Sequence, residues 1–368
     1  MSNFIFSFIV IVHALIHLLG FAKAYNFGSI QQLTKVISKP MGMIWLFTFL
    51  LFVITVLLFW MNKNMWPALA IISVIFSQIL ILTVWSDAKF GTVANIIVLA
   101  AALPALGNIQ FNNMIEKEQK ELLGSVAMDA GTIVDSTGIN HLPVIIQKWF
   151  KFSGVINKPK AVFVRLKQQG EMKTKPDGKW MSFKADEYFD ARKPSFIWVT
   201  RVWMMPLIYL NGRDKFKEGE GEMLIRLLSL VNVVNEGHNE KMNTGAMLRY
   251  LGEVCWFPSA AINDYMNWEE IDSLSAKAIM TYKNRSVSGV FTFKDNGEMV
   301  SFQADRYFGG GADAKLEKWL VEMVEYKEFD GYRIPNKCKV IWKLNEGDFT
   351  WLDLEIVDLD INTFQLYE

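Results

Sequence analysis

The chain has 368 residues with 38 basic and 38 acidic side chains, so its formal net charge is zero at pH 7. That balance hides an uneven spread, because residues 1–109 hold only five lysines and Asp87, while everything after them has an ordinary soluble composition and length enough for a second domain. No basic patch with interleaved aromatics is present, which excludes nucleic acid as a partner. Two cysteines, Cys255 and Cys338, form neither a disulfide framework nor a metal site, although an oxidising compartment would leave them free to pair with each other.

Four apolar stretches come first, at residues 4–21, 41–61, 65–85 and 91–107. A hydrocarbon core of about 30 Å takes about 20 apolar residues in a helix, because unpaired backbone groups cannot be left in lipid. The first stretch lacks a basic start and a small-residue cleavage site, so it reads as a span and not as a removable leader. With short connections such as Asn62, Lys63 and Asn64, the region 1–109 is predicted to be a compact four-helix bundle in a membrane. Lys23, Lys35, Lys39 and Lys89 fall on one side of it, against Lys63, Lys117 and Lys120 on the other. Because lysines in short loops favour the cytoplasm, the rest of the chain is expected outside it.

His13 and His17 are four residues apart and share one face of the first span. Two readings stand: together they hold a haem, a metal or a quinone oxygen, or as neutral imidazoles they bond Gln78, Asn95 or a serine and join the helices. The spans offer no third histidine and no carboxylate except Asp87 at an edge, so the metal is left unassigned and no cofactor is expected outside the first reading.

Residues 110–141 read as a linker, with a short charged helix at 116–123 and a turn-rich part at 131–140. From residue 142 the alternation is strand-like. Asp295, Asn296 and Gly297 signal a hairpin, and Lys175, Pro176, Asp177 and Gly178 a comparable turn. These hairpins repeat: residues 180–189 align without a gap on 299–308, six of ten identical, with Gly170 and Gly178 falling on Gly289 and Gly297. Further on, the run from Gly221 to Asn235 resembles that from Gly347 to Asn362. The fold class expected is therefore a four-span α-helical bundle followed by a mostly antiparallel β domain (142–368). That domain is expected to be curved or barrel-like, a duplicated half-sheet (161–235 and 275–362) with one capping helix at 244–257.

In that helix, ended by Pro258, Arg249 and Glu253 can pair on the polar side, while Met247, Leu251 and Val254 form an apolar stripe that Trp256 and Phe257 extend. These five apolar residues are either ordinary core under a cap, or the ligand-binding lining of a lid over an apolar cavity. Catalytic signatures are absent. His141 and His238 stand in no metal-ligand spacing, and Gly309, Gly310 and Gly311 open no phosphate-binding helix. Asp186 and Asp305 recur in the repeat without forming an acid–base pair.

Leu142, Pro143, Trp149, Ser153, Gly154, Trp180, Phe183 and Ala185, then residues 249–251, Glu253 and residues 256–259, and finally residues 331–335, together resemble a bacterial family of uncharacterised membrane proteins. That resemblance covers about residues 141–368 and implies no known activity. The sheet-plus-helix layout is also similar to carriers that shuttle lipoproteins between bacterial membranes, from which this chain departs in its four-helix anchor and repeated hairpins. The expectation is a non-enzymatic inner-membrane protein whose extracytoplasmic β domain binds a lipid, a lipoprotein chain or another apolar ligand. The alternatives are a redox protein using His13 and His17, and a structural subunit docking another membrane protein.

Overall fold

The computed structural model describes residues 3–127, 132–309 and 313–367; Gly131, Gly310 and Gly311, read above as turn and loop, lie outside them. The chain divides into two compact units, Met1–Asn113 and Met114–Glu368.

In the first unit, helices α1 (Asn3–Ala24), α2 (Lys39–Trp60) and α3 (Trp66–Thr83) are followed by one turn of helix, α4 (Trp85–Ala88), and the long α5 (Gly91–Ser125). All but α4 are long and apolar enough to cross a membrane. Ser38 caps α2 through a bond from the Met41 N–H, and Pro40 sits in its first turn, where a missing N–H costs nothing. Small residues let the helices approach: a side chain on Gly20 would collide with the Trp45 ring at 2.2 Å. Phe6, Val10, Phe52, Val74 and Val98 fill the interior, while large apolar side chains such as Phe8, Ile75 and Leu82 face outward, as lipid requires.

Sequence patterning ends the fourth span at residue 107 and starts a linker at 110. Instead α5 continues without a break to Ser125, with Pro104 inside it. The reason is local: residues 114–123 are strong helix formers, and Glu116–Lys120 and Lys117–Glu121 pair across one turn.

The second unit opens with α6 (Val144–Phe152) and then strands β1 (Phe163–Met172), β2 (Met181–Asp190), β3 (Ser195–Met205), β4 (Ile208–Lys217), β5 (Glu220–Leu227) and β6 (Val231–Gly237). Helix α7 (Glu240–Glu253) and two 3₁₀ turns separate these from β7 (Met266–Asp272), β8 (Ser275–Tyr282), β9 (Arg285–Phe293), β10 (Met299–Phe308), β11 (Lys315–Phe329), β12 (Tyr332–Leu344) and β13 (Gly347–Ile361). They form one antiparallel 13-stranded sheet in the order β6-β5-β4-β3-β2-β1-β13-β12-β11-β10-β9-β8-β7, with β6 and β7 as its two edges. Helix α7 touches β4, β5 and β6 on one arm and β9 and β10 on the other. Strands so far apart in the sheet reach one helix only if the sheet curves around it, so the fold is a curved, unclosed sheet with a helix on its concave face.

The capping helix begins four residues earlier than patterning suggests, because Asn239 accepts a bond from the Met242 N–H and starts it there. The repeat has a geometric counterpart at its centre: Ser182 pairs with Trp203 in β2–β3 and Ser301 with Glu322 in β10–β11, both partners displaced by 119. Elsewhere the copies diverge. Gly170 stands opposite Phe183, but Phe302 stands opposite Phe291, because the turn after β9 is shorter than that after β1. The run from Gly221 breaks into β5 and β6 at Leu228 and Ser229, both with positive φ, where the run from Gly347 continues as one strand.

Candidate functional site

Strand alternation should place apolar side chains on the concave face, and mostly it does: Phe183, Ala185 and Phe189 on β2 point inward and are buried. Glu187 occupies the same inward series and is fully buried. It survives there because Arg249, arriving from α7, donates through Nη2 to Glu187 Oε1 at 2.8 Å, and Gln168 donates to its other oxygen at 3.0 Å. Gln168 in turn accepts from Trp198 Nε1 at 2.8 Å.

Arg249 is the hub. Its Nη1 bonds Asp214 on β4 at 2.8 Å and its Nε bonds Glu253, one turn on, at 2.7 Å. Its guanidinium carbon lies 4.9 Å from the Phe196 ring and 4.8 Å from that of Trp198. One arginine thus joins the helix to two strands through two carboxylates, and a third on its own helix, Glu253, steadies it. Burial pushes the Glu187 carboxyl well above its ordinary value, with the neighbouring Glu253 adding to it and Arg249 opposing. Asp214 and Glu253 are raised by burial too, while the three acids hold the Arg249 proton more firmly than usual.

A second arginine stands beside this group. Arg306 on β10 lies 4.7 Å over the Trp319 ring and 5.8 Å from that of Trp342. No ion pair to it is formed among the described residues, and its Nε, Trp319 Nε1 and Glu253 Oε2 are buried without hydrogen-bond partners. Burial and the charge of Arg249 lower its pKa to about 10. The concave face therefore carries an unspent donor pair and an unspent acceptor close to the polar hub.

The five apolar residues picked from the helix, Met247, Leu251, Val254, Trp256 and Phe257, are all enclosed in the main core, and Trp256 Nε1 donates to the Pro335 carbonyl. They are buried side chains in that cluster. Arg249 and Glu253 do pair, as their spacing suggests, but the pairing is one arm of a larger network.

In the first unit, His13 and His17 are buried and lie on one hydrogen-bonded chain. His17 Nδ1 donates to the His13 carbonyl at 2.8 Å, which leaves its Nε2 to accept from Ser77 at 3.0 Å. His13 Nε2 then donates toward Ser77 and Asn95 Oδ1, at 3.1 and 2.9 Å, and Asn95 Nδ2 donates to Gln78 at 3.0 Å. Both nitrogens of His17 are engaged; only His13 Nδ1 is without a partner. Among the described residues, no group of three His, Cys, Asp or Glu side chains is placed to hold a metal ion. His238 is exposed beside Glu220 and His141 is exposed. Both cysteines are free and buried, so the pairing considered from the sequence is not formed.

Glu187, Asp214, Gln168 and Arg306 escaped the sequence reading, although a signal was present. Glu187 is a carboxylate in the apolar register of β2, and the repeat puts Arg306 in the position equivalent to it, a change of charge sign at a shared inward site.

Among solved structures, the chain is similar to a putative outer membrane lipoprotein-sorting protein domain from Vibrio parahaemolyticus, with 11% identity over 56% of this chain and 87% of that one and a TM-score of 0.31. It is also similar to the LolA superfamily protein NE2245 from Nitrosomonas europaea, with 10% identity over 60% and 94% and a TM-score of 0.33. A beta-barrel-like protein of the domain of unknown function DUF1849 from Brucella abortus matches at 10% identity over 55% and 98%, with a TM-score of 0.24. No curated protein matches. At these scores the likenesses carry no argument about function, whereas the match across residues 132–354 is decisive for kinship: the chain belongs to the family of unknown function DUF6544.

Proposed function

We propose that the chain is a membrane-anchored binding protein whose extracytoplasmic β domain receives an apolar or amphipathic ligand, a lipid or a lipoprotein chain, on the concave face beneath α7. The observation that carries this reading is how α7 is held. Its centre is fixed by an arginine to carboxylates on β2 and β4, and a buried ion pair contributes little net stability compared with apolar packing of the same volume. A helix needed only to complete a core is better held by apolar contacts. One that must exchange contacts with a ligand gains from directional bonds that keep it in register on one arm, β2 and β4, while its contacts with β9 and β10 are given up. Arg306 and Trp319 Nε1 supply donors for the polar end of such a ligand.

The test is labelling of the detergent-purified full chain with a photoactivatable phospholipid or fatty acid, followed by identification of the labelled peptides. Adducts on peptides from α7 and β10 support the reading. Adducts confined to the four apolar helices, with the β domain clean, count decisively against it.

A further inference from the structure

Three turns meet at one end of the β1–β6 arm, and two of them carry apolar side chains into solvent. The three join β1 to β2 (173–180), β3 to β4 (206–207) and β5 to β6 (228–230), the last two being the apolar ones. They are neighbours, since Ser182 pairs with Trp203, the Leu228 N–H donates to the Tyr209 carbonyl at 2.9 Å, and Asn211 donates to Ser229 at 2.7 Å. Trp203, Met204, Met205, Leu207, Leu230 and Val231 are all exposed there, Leu207 at 73% and Val231 at 61%. Scattered exposed apolar residues need no explanation, but a contiguous patch does.

Backbone conformation sharpens the point. Leu207 has φ 69° and Leu228 φ 51°, in the left-handed region that turns normally give to glycine or asparagine. Leucine at both positions is unfavourable for the turn, and at Leu207 it is unfavourable for the surface as well, so that exposed side chain answers to something outside the fold.

Charge identifies the occupant. The turn at 173–180 brings Lys173, Lys175 and Lys179, and Arg226 lies beside the third turn, four cations against the two acids Glu171 and Asp177. Trp180 and Trp203 are each partly exposed beside these cations, and Lys173 Nζ lies 4.6 Å over the Trp180 ring. Apolar side chains, tryptophans and lysines gathered at one end match the chemistry of a bilayer surface, where acyl chain, carbonyl and anionic headgroup are met within a shallow depth. The chain also carries four helices able to enter a membrane, so such a surface is never distant. We propose that this end of the β domain docks into an anionic lipid surface, the turn at 204–207 entering the headgroup boundary and the lysines resting on phosphates. The proposal stands whether or not a ligand binds beneath α7.

The experiment places a polarity-sensitive fluorophore on Met205→Cys of the full chain in nanodiscs of phosphatidylcholine, with or without phosphatidylglycerol. Cys255 and Cys338 are buried, at 2% and 0% exposure, and stay unlabelled in the folded protein. A blue-shifted emission quenched by spin-labelled lipid is expected in the phosphatidylglycerol discs, and not for a control label at Glu270→Cys on the opposite edge of the sheet. Quenching by spin label in the disc, the bilayer that the chain's own apolar helices enter, supports the proposal, and quenching only by spin label in added vesicles overturns it. A Met204→Glu, Leu207→Glu double variant read from a label at Leu230→Cys should lose the quenching while melting like the parent. Lys175→Gln and Lys179→Gln should each weaken docking about fivefold at low salt. Emission at Met205→Cys matching the control in every lipid overturns the proposal, as does protection that follows protein concentration and not lipid, which would mean that a second copy covers the patch.

Discussion

Replacing Arg249 by methionine removes the hub while keeping its apolar stem. The structure fixes what is lost: three ion pairs of 2.7–2.8 Å, made by an arginine 14% exposed to carboxylates 0%, 17% and 11% exposed. Removing one partner of a buried pair costs about 3–5 kcal/mol, because the remaining charges stay buried without compensation. For a domain of this size that corresponds to a fall in Tm of about 6–20 °C. The cost should shrink on acidification, since the three acids, already raised by burial, escape by taking protons. Adding Glu187→Gln and Asp214→Asn should recover most of the loss at neutral pH. The assay is thermal and urea unfolding of the detergent-solubilised full chain, followed by tryptophan fluorescence at several pH values. A single variant within about 1 kcal/mol of the parent at neutral pH, with no gain from the neutralising changes, would show that α7 is not held by this arginine.

Glu187→Gln alone should flatten the pH dependence of stability. The folded-state pKa of Glu187 lies well above the ordinary 4.5, so its contribution is complete below that ordinary value and is lost as pH rises through the raised one; the parent weakens toward neutral pH, and the variant should weaken less in parallel unfolding titrations. Gly289→Ala would put a Cβ 2.3 Å from the Phe302 ring, and a loss of about 1–3 kcal/mol in urea unfolding is expected. Ser77→Ala cuts the link between His13 and His17; a loss of about 1–2 kcal/mol, measured by unfolding in mixed detergent, is expected if that chain joins helices. Burial pushes the Cys338 thiol up to about 12 and the Cys255 thiol well above its ordinary value, so neither should react with a disulfide reagent until denaturant is added.

Apolar length and turn chemistry made the architecture legible. Four uncharged stretches read as helices long and apolar enough to cross a membrane, and Asp295, Asn296 and Gly297 as a turn, because positive φ at Gly297 is needed there. The end of the fourth helix was not legible, because the break suggested by Pro104 and Gly107 is overridden by good helix formers beyond it. Burial of the helix stripe was legible in Met247, Leu251 and Val254, whereas its polar attachment was not. Alternation says which way Glu187 and Asp214 point, but β2, β4 and α7 meet only through the curvature of the whole sheet, and no local pattern encodes that.

The same curvature explains why the polar hub lies where it does. A closed barrel has no edges and can fill its interior with apolar side chains alone. A sheet that stops at β6 and β7 leaves its two arms free to move apart, and α7 is the element that spans them. Directional bonds from Arg249 to β2 and β4 fix the helix firmly to the first arm, while its contacts with β9 and β10 include Gly252 against the Phe302 and Trp319 rings and Gly245 facing Arg306. The second attachment has an ion pair at the exposed start of α7, Glu240 to Arg285 on β9 at 2.9 Å, but further along the helix it is made by glycines against rings and by Arg306, which forms no ion pair among the described residues, so it is the looser of the two there. Opening should then occur between α7 and the β9–β10 arm, exposing Arg306 and Trp319 first. Hydrogen exchange should show the amides of β9 and β10 that face α7 losing protection before those of β4 and β5, and the reverse order would place the hinge on the other arm.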